Sequence, residues 1–124
     1  MEMQSPYKGQ TGLRRILSAT RNSFDGFSAA IRHEDAFRQE LVMAAVLVPV
    51  ALAFGKNGFE RALLVAAVLF VLVVELLNSA IEATVDRISF DNHLLAKRAK
   101  DIGSAAVMLS LATAAIVWLL ILLP

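Results

Sequence analysis

Hydrophobic residues are concentrated in three long blocks along the chain, at 41–54, 62–85 and 102–123. A membrane-spanning α-helix needs about 20 predominantly apolar residues, and the second and third blocks meet that length by themselves. The first block meets it only when its polar start at 36–40 lies at the level of the lipid headgroups. The third block has no polar stripe of the kind that a soluble helix exposes to water. The pattern therefore predicts an all-α integral membrane protein, a single domain over 1–124, with transmembrane helices at 35–54, 61–86 and 94–123.

A shorter segment ahead of the first block has a different pattern. Its apolar side recurs with helical spacing at Leu13, Ile16, Leu17, Thr20, Phe24, Phe27 and Ile31, and arginines lie on the opposite side. A basic amphipathic helix next to a membrane span lies flat in the interface, with its apolar side toward the lipid. We therefore expect an N-terminal interfacial helix at 11–32, preceded by a flexible tail at 1–10. The pattern leaves open whether this helix is only an anchor or also covers an active site.

One face of the second block carries ionisable groups, which are costly inside a membrane and indicate function. Glu75, Asn78, Glu82 and Asp86 fall within about 80° of arc when successive residues are placed about 100° apart. Glu75 lies roughly 10 Å deeper along the helix than Glu82. A desolvated carboxylate at that depth suits a general base, whereas Glu82 would meet solutes from the water. The stripe predicts a site for a proton, a cation or a polyphosphate.

The other two spans bring charged residues to the same membrane surface. These residues are Glu34, Arg38 and Glu40 at the start of the first span, and Lys97, Lys100, Asp101 and Ser104 at the start of the third. Carboxylates together with basic groups suit a metal-chelated polyphosphate, because a hard cation takes oxygen ligands and the basic groups hold phosphate oxygens. No P-loop, dinucleotide-binding or protein-kinase motif is present in the sequence. The residues alone leave open a lipid phosphotransferase and an ion- or proton-coupled transporter subunit.

The distribution of basic residues predicts the orientation of the chain across the membrane. Of the 12 lysines and arginines, only Lys56 and Arg61 lie between the first and second spans; the others precede the first span or lie between the second and third. Basic loops stay in the cytoplasm, which predicts a cytoplasmic N-terminus and an outer C-terminus. The hydrophobic content of 57% exceeds the roughly 45–50% of soluble domains. The sequence contains no cysteine, which excludes disulfides and thiol catalysis.

The pattern ExxNSAIExxVDR at 75–87 resembles the signature of the small prokaryotic diacylglycerol kinase family, and EDAFRQE at 34–40 and RAKDIGSAAV at 98–107 match it as well. The likeness covers the chain from about Arg15 to its end. It implies three transmembrane helices and an interfacial helix, assembled as a homotrimer that shares active sites between subunits in the bacterial inner membrane. It also implies transfer of the γ-phosphate of ATP to the free hydroxyl of diacylglycerol, giving phosphatidic acid.

The resemblance also implies roles for individual residues. Glu75 resembles the catalytic base, and Glu34 and Glu82 resemble the ligands of Mg²⁺. The implied nucleotide contacts are Arg15, Glu34, Asn78, Glu82, His93, Lys100 and Asp101. The residues implied on the lipid-substrate side are Arg38, Glu40, Glu75 and Ser104. The expected partners are diacylglycerol, ATP, membrane lipids and further copies of the chain, with no nucleic acid.

The sequence departs from the family pattern at Asn22 and at the pair Asp91-Asn92. A related branch of the family phosphorylates undecaprenol. The FRQE run at 37–40 is more like the diacylglycerol branch, so undecaprenol is the alternative lipid substrate.

Overall fold

The computed structural model describes residues 11–88 and 93–124, and these residues form four α-helices. They are α1 (Gly12–His33), α2 (Asp35–Phe54), α3 (Gly58–Ile88) and α4 (Leu94–Leu122). The predicted flexible tail at 1–10 and the Asp91-Asn92 pair lie outside the described residues. The last three helices are long and apolar enough to cross a membrane. The predicted all-helical class, with three candidate spans and an N-terminal helix, is confirmed.

The N-terminal helix α1 forms a compact unit of its own. Its large apolar residues are exposed, among them Leu13, Ile16, Leu17 and Phe24, whereas the small residue Ala30 is buried. Arg32 and His33 lie in its last turn, where basic side chains interact favourably with the negative end of the helix dipole. The helix is amphipathic, as its sequence period predicts.

The second unit contains α2, α3 and α4, and α3 packs against both of the others. Small residues such as Ala44, Ala51 and Ala67 are buried together with Leu64 and Val68. Such residues allow helix backbones to approach closely in apolar surroundings, where packing rather than the hydrophobic effect drives association. In the apolar 18-residue stretch of α3, 33% is buried, compared with 17% in that of α2 and 6% in that of α4. The middle helix is therefore the one that neighbouring helices cover most.

Polar contacts fix both ends of the α3–α4 pair. Near the start of α3, the indole Nε1 of Trp118 donates a hydrogen bond of 3.1 Å to the carbonyl oxygen of Leu64. Near the end of α3, Lys100 Nζ lies 2.5 Å from Asp86 Oδ1. The two helices are therefore antiparallel, and the end of α3 lies beside the start of α4.

A tight turn at 55–57 joins α2 to α3. The side chain of Asn57 accepts a hydrogen bond of 2.8 Å from the backbone N–H of Glu60, which satisfies one of the free donors at the start of α3. A Cβ at Gly55 would lie 2.5 Å from Cγ of Arg61, whose Nε donates to the Gly55 carbonyl oxygen at 3.1 Å. Glycine is required here because the arginine side chain folds back onto the turn.

Candidate functional site

Three polar residues in the second half of α3 are buried. Glu75, Asn78 and Ser79 are 5%, 8% and 9% exposed. Asn78 Nδ2 donates a hydrogen bond of 3.2 Å to Oε1 of Glu82, one helical turn further on. Asn78 Oδ1 and Ser79 Oγ have no hydrogen-bond partner within the part of the chain that the structure describes. Buried polar atoms nearly always have hydrogen-bond partners in folded proteins. These unpaired atoms therefore indicate a position where a bound ligand would supply the missing hydrogen bonds.

Carboxylates from α2 join this cluster. Glu34 stands at the N-cap position of α2, but its side chain makes no capping hydrogen bond. The carboxylates of Glu34 and Glu82 are both close enough to Glu75 to interact with it electrostatically. Glu40 also interacts with Glu75, and its Oε2 is buried without a partner among the described residues. Like charges gathered in this way repel one another, and a bound cation would relieve the repulsion.

The start of α4 contributes a positive charge to the same end of the helices. Lys100 forms the ion pair with Asp86 and also interacts electrostatically with Glu82. Both partners of the pair are nearly half exposed, at 43% and 48%, so an incoming anion can reach the ammonium group. The sequence indicated Asp86 only as part of the polar stripe. The structure makes it the group that holds Lys100.

Gly103 of α4 is buried against the side chain of Asn78 in α3. A Cβ at Gly103 would overlap Oδ1 of Asn78 and would lie 3.3 Å from its Cγ. The sequence reasoning did not select Gly103. The available signal was a lone glycine inside a helical segment, which is unfavourable unless packing or function requires it.

The predicted site residues thus divide into two groups. The structure brings together Glu34, Glu40, Glu75, Asn78, Glu82 and Lys100.

The remaining predicted residues have other surroundings. Asp101 pairs with Lys97 on the exposed side of α4, with 2.6 Å between Oδ2 and Nζ. Arg38 pairs with Asp35, and Ser104 is exposed. His93 caps α4, because its Nδ1 accepts a hydrogen bond of 3.1 Å from the backbone N–H of Leu95. Arg15 is exposed on α1, in the first unit.

An apolar cavity of about 280 Å³ runs beside the cluster, among α2, α3 and α4. Its walls include Ala44 and Leu47 from α2, Val71 from α3 and Trp118 from α4, and Glu40 is the charged residue among its lining. The volume is large enough for part of an apolar chain, and the carboxylate supplies a polar group at its wall. The structure therefore places an apolar cavity directly beside the polar cluster.

The described residues form helices that include three apolar candidate spans, and carboxylates and a lysine gather toward one end of those spans. These features define a class: a helical membrane protein with a polar cluster toward one end of its spans. Comparison with known families identifies the member of that class. The family described as prokaryotic diacylglycerol kinase matches residues 21–122. The chain belongs to this family, which confirms the family and the kinase class expected from the sequence.

Individual relatives agree with the family match. The chain is 56% identical over 119 residues to the diacylglycerol kinase of Pseudomonas aeruginosa, covering 96% of this chain and 97% of the relative. It is 46% identical over 112 residues to the diacylglycerol kinase of Escherichia coli K12, covering 90% and 92%. It is 43% identical over 108 residues to the diacylglycerol kinase of Haemophilus influenzae, covering 87% and 92%. The likeness spans nearly the whole of both proteins in each comparison.

Proposed function

We propose that this protein uses ATP to phosphorylate diacylglycerol to phosphatidic acid at the cytoplasmic face of a bacterial inner membrane. The observation that carries the proposal is the gathering of carboxylates from α2 and α3 beside Lys100 of α4. The names of relatives that are up to 56% identical support the same substrate. Carboxylates alone would also serve an ion-coupled transporter, but the lysine within the cluster and the family membership favour the kinase.

The donor set fits a magnesium ion that is shared with a nucleotide. Mg²⁺ prefers oxygen ligands, and it is usually bound by one or two carboxylates together with substrate phosphates and water. Among the described residues, no three or more His, Cys, Asp or Glu side chains are arranged to hold a metal ion by themselves. Glu34 and Glu82 are therefore proposed as the two protein ligands, with the remaining oxygens coming from phosphate and water. When bound, the ion would neutralise charge on the phosphates during transfer.

The residues of the chain would divide the remaining work of phosphoryl transfer. Glu75 accepts the proton of the lipid hydroxyl. The hydroxyl oxygen attacks the γ-phosphorus of ATP as the bond from that phosphorus to the ADP oxygen breaks. Asn78 holds Glu82 through the hydrogen bond from Nδ2. Lys100, released from Asp86, offers its ammonium group to phosphate oxygens. Arg15, His93 and Asp101 are proposed as further nucleotide contacts on the strength of the resemblance alone.

The apolar cavity supports a lipid substrate next to the base. Glu40 lines the cavity and also interacts electrostatically with Glu75, so the wall of the cavity and the proposed base are neighbours. A diacylglycerol with its chains in lipid and its free hydroxyl toward Glu75 would place its glycerol backbone near Glu40. Arg38 and Ser104 are proposed to assist on this lipid side.

The active form is proposed to be a homotrimer, with sites completed between subunits. Only 6% of the apolar 18-residue stretch of α4 is buried by the described residues. Most of the surface of this helix is therefore left for lipid or for other copies. This uncovered surface fits an assembly in which neighbouring copies pack against α4 and complete one another's sites.

The first testable expectation concerns the reaction. Purified protein in mixed lipid–detergent micelles with Mg-ATP should transfer radiolabelled phosphate to diacylglycerol, and much less to undecaprenol assayed in parallel. Preferential labelling of undecaprenol would assign the protein to the alternative substrate. Solute uptake driven by a proton gradient in liposomes, without labelled lipid, would favour the transporter.

A second expectation concerns orientation. Because the chain has no cysteine, single cysteines can be introduced without background as Ser5→Cys, Lys56→Cys and Pro124→Cys. A membrane-impermeant maleimide added to intact spheroplasts should label the last two, whereas Ser5→Cys should react only after lysis. This follows from the excess of basic residues before the first span and between the second and third. Labelling of Ser5→Cys in intact spheroplasts would reverse the proposed orientation.

A further inference from the structure

Gly103 faces the amide of Asn78 across the α3–α4 contact. Gly103 is buried, and a Cβ built there would overlap Asn78 Oδ1 and approach Cγ to 3.3 Å. The glycines at 26 and 58 differ, because a Cβ at either of them would meet nothing within 4 Å. Glycine is less favourable than alanine inside a helix, so its presence at this contact requires a compensating reason.

The compensating reason is the hydrogen bond that the nitrogen of the Asn78 amide donates. Nδ2 donates to Glu82 Oε1 at 3.2 Å, while Oδ1 points at the glycine backbone of α4 without a hydrogen-bond partner among the described residues. We propose that Gly103 is a positioning residue: by lacking a Cβ, it lets the Asn78 amide lie in the orientation that holds the Glu82 carboxylate for the nucleotide. The proposal rests on the assignment of Glu82 to Mg-nucleotide made above.

An added methyl group would act on Asn78 rather than on the helices. The overlapping atom is the end of a rotatable side chain, so the amide can turn away at a lower cost than separating two packed helices. Once it has turned, Nδ2 no longer reaches Glu82. Lys100, which interacts electrostatically with Glu82, would then draw the carboxylate toward the Asp86 pair and away from the metal.

The test is the Gly103→Ala variant, with Gly58→Ala as the matched control because that position is open. Affinity for Mg²⁺ and a non-hydrolysable ATP analogue is measured by calorimetry on the assembled protein, and the KM for diacylglycerol is measured separately. Gly103→Ala should weaken analogue binding roughly 10- to 100-fold, the effect of losing a hydrogen bond to a charged group. The KM for diacylglycerol and all values of Gly58→Ala should stay within about twofold of wild type. A general loss of structure would change both the affinity for the analogue and the KM for diacylglycerol. A change in analogue affinity alone therefore distinguishes positioning from folding.

A double-mutant cycle makes the inference specific to Asn78. In an Asn78→Ala background the overlap is absent, and adding Gly103→Ala should change analogue affinity by less than about twofold, because coupled residues lose their effect when the partner is removed. Equal weakening in both backgrounds, or no weakening in the wild-type background, would overturn the proposal. If Gly103→Ala does not assemble, assembly of the double variant supports the contact and its failure to assemble refutes it.

The Glu82→Gln variant is measured in the same series. Unchanged analogue affinity in this variant would remove Glu82 from the nucleotide site and overturn both the ligand assignment and the role of Gly103. Weakening in Glu82→Gln without weakening in Gly103→Ala would overturn only the positioning role.

Discussion

Replacing Glu75 by glutamine is expected to lower turnover by about 10²- to 10⁴-fold, the usual contribution of a positioned general base. Affinity for Mg-nucleotide should stay near that of the wild type, because Glu75 lies deeper in α3 than Glu82 and is proposed to act on the lipid hydroxyl. The variant should assemble, since Glu75 is 5% exposed and an amide is less costly than a carboxylate to bury. Turnover and nucleotide affinity are both measured on one preparation.

Glu60→Gln is the matched control for this variant. Glu60 lies in the first turn of the same helix, far from the cluster, and its side chain accepts a hydrogen bond of 3.0 Å from the backbone N–H of Lys56. An amide oxygen can accept the same bond, so Glu60→Gln should keep full activity. A Glu75→Gln variant with more than about a tenth of wild-type turnover would contradict the base assignment. Joint loss of turnover and nucleotide binding would instead make Glu75 a metal ligand.

Replacing Glu34 or Glu82 by glutamine should have a similarly large effect, but for a different reason. An amide keeps the shape of the side chain and loses the negative charge that a hard divalent ion requires. Activity should fall to near background, and the Mg²⁺ concentration needed for half-maximal activity at saturating diacylglycerol should rise by more than about tenfold. The measurement is a Mg²⁺ titration of turnover with ATP held constant.

The two variants should also differ from Glu75→Gln in how they respond to metal. High Mg²⁺ should partly restore Glu34→Gln and Glu82→Gln, since it compensates for weakened binding by mass action. It should not restore Glu75→Gln, whose expected defect is in proton transfer. Wild-type Mg²⁺ dependence in both Glu34→Gln and Glu82→Gln would remove them from the metal site, and the Glu60→Gln control should titrate like the wild type.

The sequence predicted most of the fold because each span carries its own signal. An apolar block long enough to cross a membrane must satisfy its backbone within itself, and the helix is the local way to do so. The blocks at 41–54, 62–85 and 102–123 accordingly correspond to α2, α3 and α4. The same local logic applies to α1, whose period of apolar residues needs no tertiary contact to be recognised.

From the sequence, the candidate site could be predicted only as groups of residues that share one face of a helix. Helical spacing places Glu75, Asn78, Glu82 and Asp86 on one side of α3, and this holds whatever lies opposite. The family match then supports the kinase class. The roles of the individual residues remain predictions that the variants described above will test.

The pairing of these faces was decided by the tertiary structure alone. Spacing along one helix cannot specify the rotation or depth at which a second helix packs against it, because those depend on how both surfaces fit together. Nothing in the sequence indicates that Lys100 reaches Asp86, that the Trp118 indole bonds to the carbonyl oxygen of Leu64, or that Gly103 meets Asn78. The sequence by itself determined which residues are costly to bury and share a face. Only the packing of α4 on α3 decided which partners they meet, since that contact is set by shape over the whole length of both helices.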